Sequence, residues 1–151
     1  MGTKESAEEG LVGGCGVWNG GFFIHLIINY FVDKHTHVDE LKSLVQAYCE
    51  ARDWDQFHNP KELAIGAITE ASELLEHFRF KSEDEMKKML SEPKKREAIE
   101  EELADVFFFL LRFAQMNNID LSTALRSKLT KNELKYPVEK SKGSNKKYNE
   151  L

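Results

Sequence analysis

Cysteine is scarce: Cys15 and Cys49 are the only two in 151 residues. That excludes the disulfide framework of a small secreted domain, and neither thiol has the local company of a catalytic Cys/His pair, so a reducing cytoplasm is the expected home. Surplus positive charge is missing too, with a formal net charge of −5 and an isoelectric point near 5.6. Such a surface is not built to grip nucleic-acid phosphates, and the basic stretch KSKGSNKK reads as a solvated tail. Prolines number three, Pro60, Pro93 and Pro137, and from Val38 onward no segment carries the alternation of a strand. Formal charge is absent from residues 10–32, which include FFIHLIINYFV. The glycines there, with Asn19, His25 and Asn29, speak against a membrane span, and Lys4 followed by Glu5, Glu8 and Glu9 speaks against a signal peptide. Residues 1–37 are therefore expected to be an extension outside the main domain, with His35 and His37 in an ordinary loop rather than a metal pair.

What is present from Val38 onward is helical period. Val38, Leu41, Leu44, Val45, Tyr48 and Cys49 share one face and predict a helix ending near Arg52. After the connector DWDQFHNP, the order Asn59, Pro60, Glu62 reads as N-cap, first-turn proline and far member of a capping box, opening a helix to about Phe80. Ser82 with Glu85 repeats the box for the short amphipathic piece DEMKKML. Pro93 then precedes a long helix to about Met116, and Asp120 caps a last one through Leu134. The expectation is an all-α fold of four-helix type over residues 38–136, with a polar tail, residues 137–151, running over the surface.

The chemistry is concentrated on two of these helices. In EELADVFFFLLRFA, residues 101–114, Asp105 stands at the mouth of an apolar run that holds no other charge until Arg112. Apolar neighbours on every side predict a buried helix and a buried Asp105, and a buried carboxylate needs a cation or good hydrogen bonds. Glu70 and Glu73 lie one turn apart in AITEASELLEHF, and Glu102 and Asp105 repeat that spacing. An antiparallel pairing of the two helices would gather four carboxylates that only a cation can reconcile. Oxygen donors select a hard ion, Mg²⁺ first and Mn²⁺ as a substitute, whereas Zn²⁺ would want His or Cys. Glutamates three apart are also common on solvated helix faces, and Asp105 is what tips the balance toward a metal.

The joint occurrence of these acidic pairs with RDWDQFH, EELADV, SKLTKNELKYP and KKYNEL resembles the MazG-like, all-α nucleoside triphosphate pyrophosphohydrolases, and among them the dCTP pyrophosphatases, from Val38 to Leu151. The resemblance implies cleavage between the α and β phosphates of a nucleoside triphosphate to monophosphate and pyrophosphate, as in nucleotide pool sanitation. It implies Glu70, Glu73, Glu102 and Asp105 as metal ligands, with Glu73 orienting the attacking water. It also implies Lys128, Asn132, Lys135 and Tyr136 on the phosphate side and Trp54, His58, Phe80 and Phe109 around the base. The bundle would be completed by assembly into a homotetramer, with no nucleic-acid or membrane partner. Phe80 stands where close relatives often have Trp, Phe109 where they have Tyr, and Val45 where some have His, which leaves base preference looser than reaction type. Enzymes of the same superfamily acting on dUTP or phosphoribosyl-ATP are the near alternatives. A non-enzymatic helical module that uses its apolar helix as an oligomer interface is the distant one, and it would have no reason to bind Mg²⁺ at the four acids. A ferritin-like di-iron centre wants Glu-x-x-His motifs, and His77 follows Glu73 by four.

Overall fold

Three short polar side chains mark where helices begin. In the computed structural model, which describes residues 32–151, Asn59 Oδ1 accepts from the backbone N–H groups of Lys61 and Glu62, both at 3.1 Å. Ser82 Oγ accepts from Glu85 N–H at 3.4 Å and Asp120 Oδ1 from Thr123 N–H at 2.7 Å. Each satisfies donors that the first turn of a helix leaves without partners. The Ser82 box closes reciprocally, since the Glu85 carboxylate accepts from Ser82 N–H at 2.8 Å. The box predicted at Glu62 is only half built, because Asn59 N–H already donates to the Phe57 carbonyl at 3.2 Å and Glu62 pairs instead with Lys61 at 2.8 Å.

The resulting helices are α1 (Val38–Glu50), α2 (Pro60–Phe78), α3 (Glu83–Ser91), α4 (Pro93–Met116), α5 (Leu121–Lys135) and the single turn α6 (Val138–Ser141). Short 3₁₀ turns stand at Asp55–Phe57 and Tyr148–Glu150. The fold is all-α, with no strand among the described residues. Helix α1 stops short of Arg52, and α2 stops short of Phe80 because Arg79 leaves the helical region at ψ 130°; left-handed angles follow at Asp53 and Phe80, φ 52° and φ 60°. The tail is more ordered than its polar sequence suggests. The Tyr148 ring meets Tyr136 edge-on at 6.0 Å and lies 5.1 Å from Lys135 Nζ, which ties the C-terminus to the end of α5.

Helix α4 is the axis of the unit that runs from Thr36 to Leu151, and α1, α2 and α3 all pack against it. Val45 and Cys49 of α1 meet Leu111 of α4 in the core, ringed by Val38, Leu41, Phe108 and Leu121. Leu63, Met89, Ile99 and Ala114 are buried as well.

The prediction that α4 is buried on all sides, with Asp105 inside it, is not met in the protomer. Three helices cover one side of α4, while Leu103, Phe107 and Leu110 stay exposed along the other; Asp105, on the side that faces α2, is exposed as well. Ile68 on α2 is 71% exposed and α5 buries no residue at all. The apolar pattern is real, but in one chain only part of it finds a covering surface. No helix among the described residues is long and apolar enough to cross a membrane. The reading of residues 10–32 as a segment that does not span a membrane falls on residues outside that description, Val32 excepted.

Candidate functional site

The packing of α2 on α4 sets Glu70 against Glu102 and Asp105, and one carboxylate oxygen from each of the three lies within 4.8 Å of the other two. Glu70 and Glu102 are half-buried and Asp105 sits at the rim. Burial, and then the charges of Glu73, Asp105 and Glu102, push the Glu70 carboxyl above its ordinary range. Three acids gathered this closely, which offer only oxygen, form a donor set suited to a hard divalent cation. Convergence therefore carries the metal reading, not the burial of Asp105 that the sequence suggested. The fourth predicted acid does not join the trio: Glu73 is exposed, one turn along α2, and lines an adjacent cleft with Glu76, His77 and Glu102.

Glu70 and Asp105 also form the polar end of a cavity of about 480 Å³, whose remaining walls are Leu44, Val45, Tyr48, Trp54, Phe108 and Phe109. The rings interlock edge to face. Trp54 meets Tyr48 with centroids 5.8 Å apart, Tyr48 meets Phe108 at 6.0 Å, and Phe108 meets Phe109 at 5.5 Å. Phe109 lies so close to α2 that a Cβ on Gly66 would come within 2.3 Å of its ring. A concave apolar slot that ends in a carboxylate cluster can hold a flat ring at one end and a cation-bridged anion at the other.

Of the residues the resemblance places around the base, Trp54 and Phe109 line this cavity, together with Leu44, Tyr48 and Phe108, which the sequence did not single out for the site. For Leu44 and Tyr48 the signal was there, one helical turn apart on the apolar face of α1. Other predicted residues lie elsewhere in the protomer. His58 lines a neighbouring cleft with Phe57, Gly66 and Phe109, and its Nδ1 accepts from Arg112 Nε at 3.1 Å. Phe80 is 90% exposed in the turn after α2, with the Arg79 guanidinium 4.8 Å above its ring. Lys128, Asn132, Lys135 and Tyr136, on α5 and at its end, are not among the residues that line the cavity.

Among the described residues Arg112 is the charge that is deeply buried, 0% exposed, at the far end of the apolar run from Asp105. It pairs with Asp55, His58 and Gln115.

Residues 65–151 match the MazG-like family. The chain is 38% identical to dCTP pyrophosphatase 1 of Rattus norvegicus over 114 residues, which is 76% of this chain and 67% of the relative. It is 34% identical to dCTP pyrophosphatase 1 of Homo sapiens over the same length and the same shares. The crystal structure of a pyrophosphatase from Archaeoglobus fulgidus is similar with a TM-score of 0.63 at 35% identity, covering 71% of this chain and 98% of that one. In sequence and in fold, the chain belongs to the MazG-like family.

Proposed function

We propose that the chain is a metal-dependent nucleoside triphosphate pyrophosphohydrolase that cleaves the bond between the α and β phosphates of dCTP-like nucleotides, releasing monophosphate and pyrophosphate. The observation that carries this reading is the meeting of Glu70, Glu102 and Asp105 at one end of an aromatic-walled cavity, in a chain similar to proteins named dCTP pyrophosphatase 1. Mg²⁺, with Mn²⁺ as a substitute, is the ion for these oxygens, and when bound it supplies phosphoryl polarisation and a more acidic water. Glu73, one turn from Glu70, orients the attacking water and takes its proton. Trp54 and Phe109 stack on the base, each contact contributing about 1 to 3 kcal/mol.

Stacking tolerates every base, so preference for cytosine rests on pocket depth and on hydrogen bonds to the base edge. A polar group left unmatched there rejects the wrong base. Phe80 and Phe109 lack hydrogen-bonding handles, which makes that preference the finer part of the proposal.

The assembly belongs to the same reading. A homotetramer would cover the exposed apolar rows of α2 and α4 and bring α5, with Lys128, Asn132, Lys135 and Tyr136, together with Phe80 and His58, toward a nucleotide bound in an assembled site. The enzyme would act on the cytoplasmic nucleotide pool, where Cys49 stays a free thiol, as it is here.

Pyrophosphate release measured across the deoxynucleoside and ribonucleoside triphosphates, with and without Mg²⁺, tests the proposal. We expect dCTP or a 5-substituted dCTP to have the highest kcat/KM. A tenfold advantage for dUTP or a purine nucleotide overturns the base assignment, and no Mg²⁺-dependent release from any nucleotide overturns the activity.

A further inference from the structure

We infer that Arg112 is a positioning residue: its guanidinium ties the Asp55–Phe57 turn to α4 and thereby holds Trp54 as one wall of the nucleotide cavity, an inference that rests on the reading of that cavity proposed above. Among the described residues Arg112 is the one charged side chain that is fully buried. A buried guanidinium is tolerated only when its fork of donors is taken up. Here Nε donates to His58 Nδ1 at 3.1 Å, one terminal nitrogen donates to Gln115 Oε1 a turn further along α4, and the other donates to Asp55 Oδ1. Two of the three acceptors thus lie on the connector between α1 and α2, far away in sequence, and no buried side-chain nitrogen or oxygen among the described residues lacks a partner.

The connector needs this grip. None of the residues of the Asp55–Phe57 turn is buried, and Phe57 points outward at 61% exposure, so the turn has no apolar anchor of its own. Trp54 stands at the N-cap of that turn, its ring 5.8 Å from Tyr48 and 6.2 Å from His58. Arg112 follows Phe108 and Phe109 by one helical turn on α4, so the side chain that fixes the Trp54 wall belongs to the same helix that carries the opposite wall. The grip therefore sets the width of the slot. An accepting Nδ1 requires a neutral His58 with its proton on Nε2. Burial first, and the Arg112 charge second, hold the His58 pKa below its ordinary value, in keeping with that state.

Steady-state kinetics of the full chain with dCTP and saturating Mg²⁺ test the inference on four variants: Trp54→Ala, Asp55→Ala, Arg112→Met and the double variant Trp54→Ala/Asp55→Ala. Asp55 is half exposed, so its truncation decides the matter even if Arg112→Met fails to fold. Trp54→Ala and Asp55→Ala should each raise KM about tenfold with kcat within about threefold, and the double variant should be no worse than Trp54→Ala alone, because both changes remove the same wall. In a Trp18→Phe background, the Trp54 emission of the substrate-free protein should shift to the red on Asp55→Ala. A raised KM in Trp54→Ala beside an unchanged KM in Asp55→Ala overturns this inference alone, as do multiplying effects in the double variant. An unchanged KM in Trp54→Ala overturns the cavity reading and this inference with it.

Discussion

Glu70 is a carboxyl group placed where ionising is unfavourable, and that has a sign. Its pKa in the folded chain is raised above the unfolded value, by burial first and by the neighbouring acids after it. Its contribution to stability is thus fully present below the unfolded carboxylate pKa and is lost as pH rises through the raised folded value. Glu85 and Asp120 pull the other way, because backbone N–H donors at their helix caps lower their pKa values. The comparison must therefore be between variants. Without metal, Glu70→Gln should melt higher than the wild type at neutral pH, the gap closing as pH falls through the carboxylate range, and only the wild type should gain Tm strongly on adding Mg²⁺. Equal melting of the two at neutral pH, with equal response to Mg²⁺, would remove Glu70 from the cation site. The sequence showed two charges bracketing one apolar run, Asp105 and Arg112, and a burial argument applied to both. Asp105 is exposed, while Arg112 is the one enclosed. Which end of an apolar run is covered depends on the helices laid across it, and no local pattern encodes that.

Between α2 and α4, Gly66 is the point of closest fit. A Cβ there would lie 2.3 to 2.6 Å from three atoms of the Phe109 ring, well inside contact distance, so the ring must move if the residue grows. Gly66→Ala should therefore shift Phe109 into the cavity and raise KM for the nucleotide by roughly tenfold, about 1.4 kcal/mol, while helix content measured by circular dichroism holds or rises, since alanine favours the helix. An unchanged KM would mean that the Phe109 ring relaxes without narrowing the slot. Helix starts at Asn59, Ser82 and Asp120 were legible because capping is local chemistry, read within four residues. Helix ends were less so. Asp53 and Phe80 take left-handed angles that glycine would have announced and that their own side chains do not. The site divides in the same way. The i, i+3 acids and Trp54 were visible as spacing and as an aromatic in a polar connector, whereas Gly66 matters only through a ring that reaches it from another helix.

For the whole molecule, the exposed side of α4 is the feature one protomer does not explain. In the homotetramer proposed above, Leu103, Phe107 and Leu110 together are expected to lie in the interface, because contiguous apolar rows seldom face water in a stable protein. Phe107→Glu should lower the assembly mass measured by sedimentation velocity, with loss of activity following loss of assembly. A monomeric wild type would end that expectation. Deleting residues 1–34 should leave a folded and active enzyme, since the helical period and the family motifs begin after that point, and loss of a cooperative melting transition in the truncated chain would place those residues in the core or the interface. The central claim is that Glu70, Glu102 and Asp105 hold the cation on which pyrophosphate release depends. Pyrophosphate released from dCTP, followed as Mg²⁺ is titrated into the wild type and into Asp105→Asn, tests it most directly. The account predicts saturable dependence on Mg²⁺ in the wild type and, at matched Mg²⁺, a loss of at least ~100-fold in kcat/KM for Asp105→Asn, about 2.7 kcal/mol of transition-state stabilisation, with the metal-free melting temperature unchanged or higher. Wild-type rates in Asp105→Asn, or full activity of the wild type in the presence of a chelator, would contradict it.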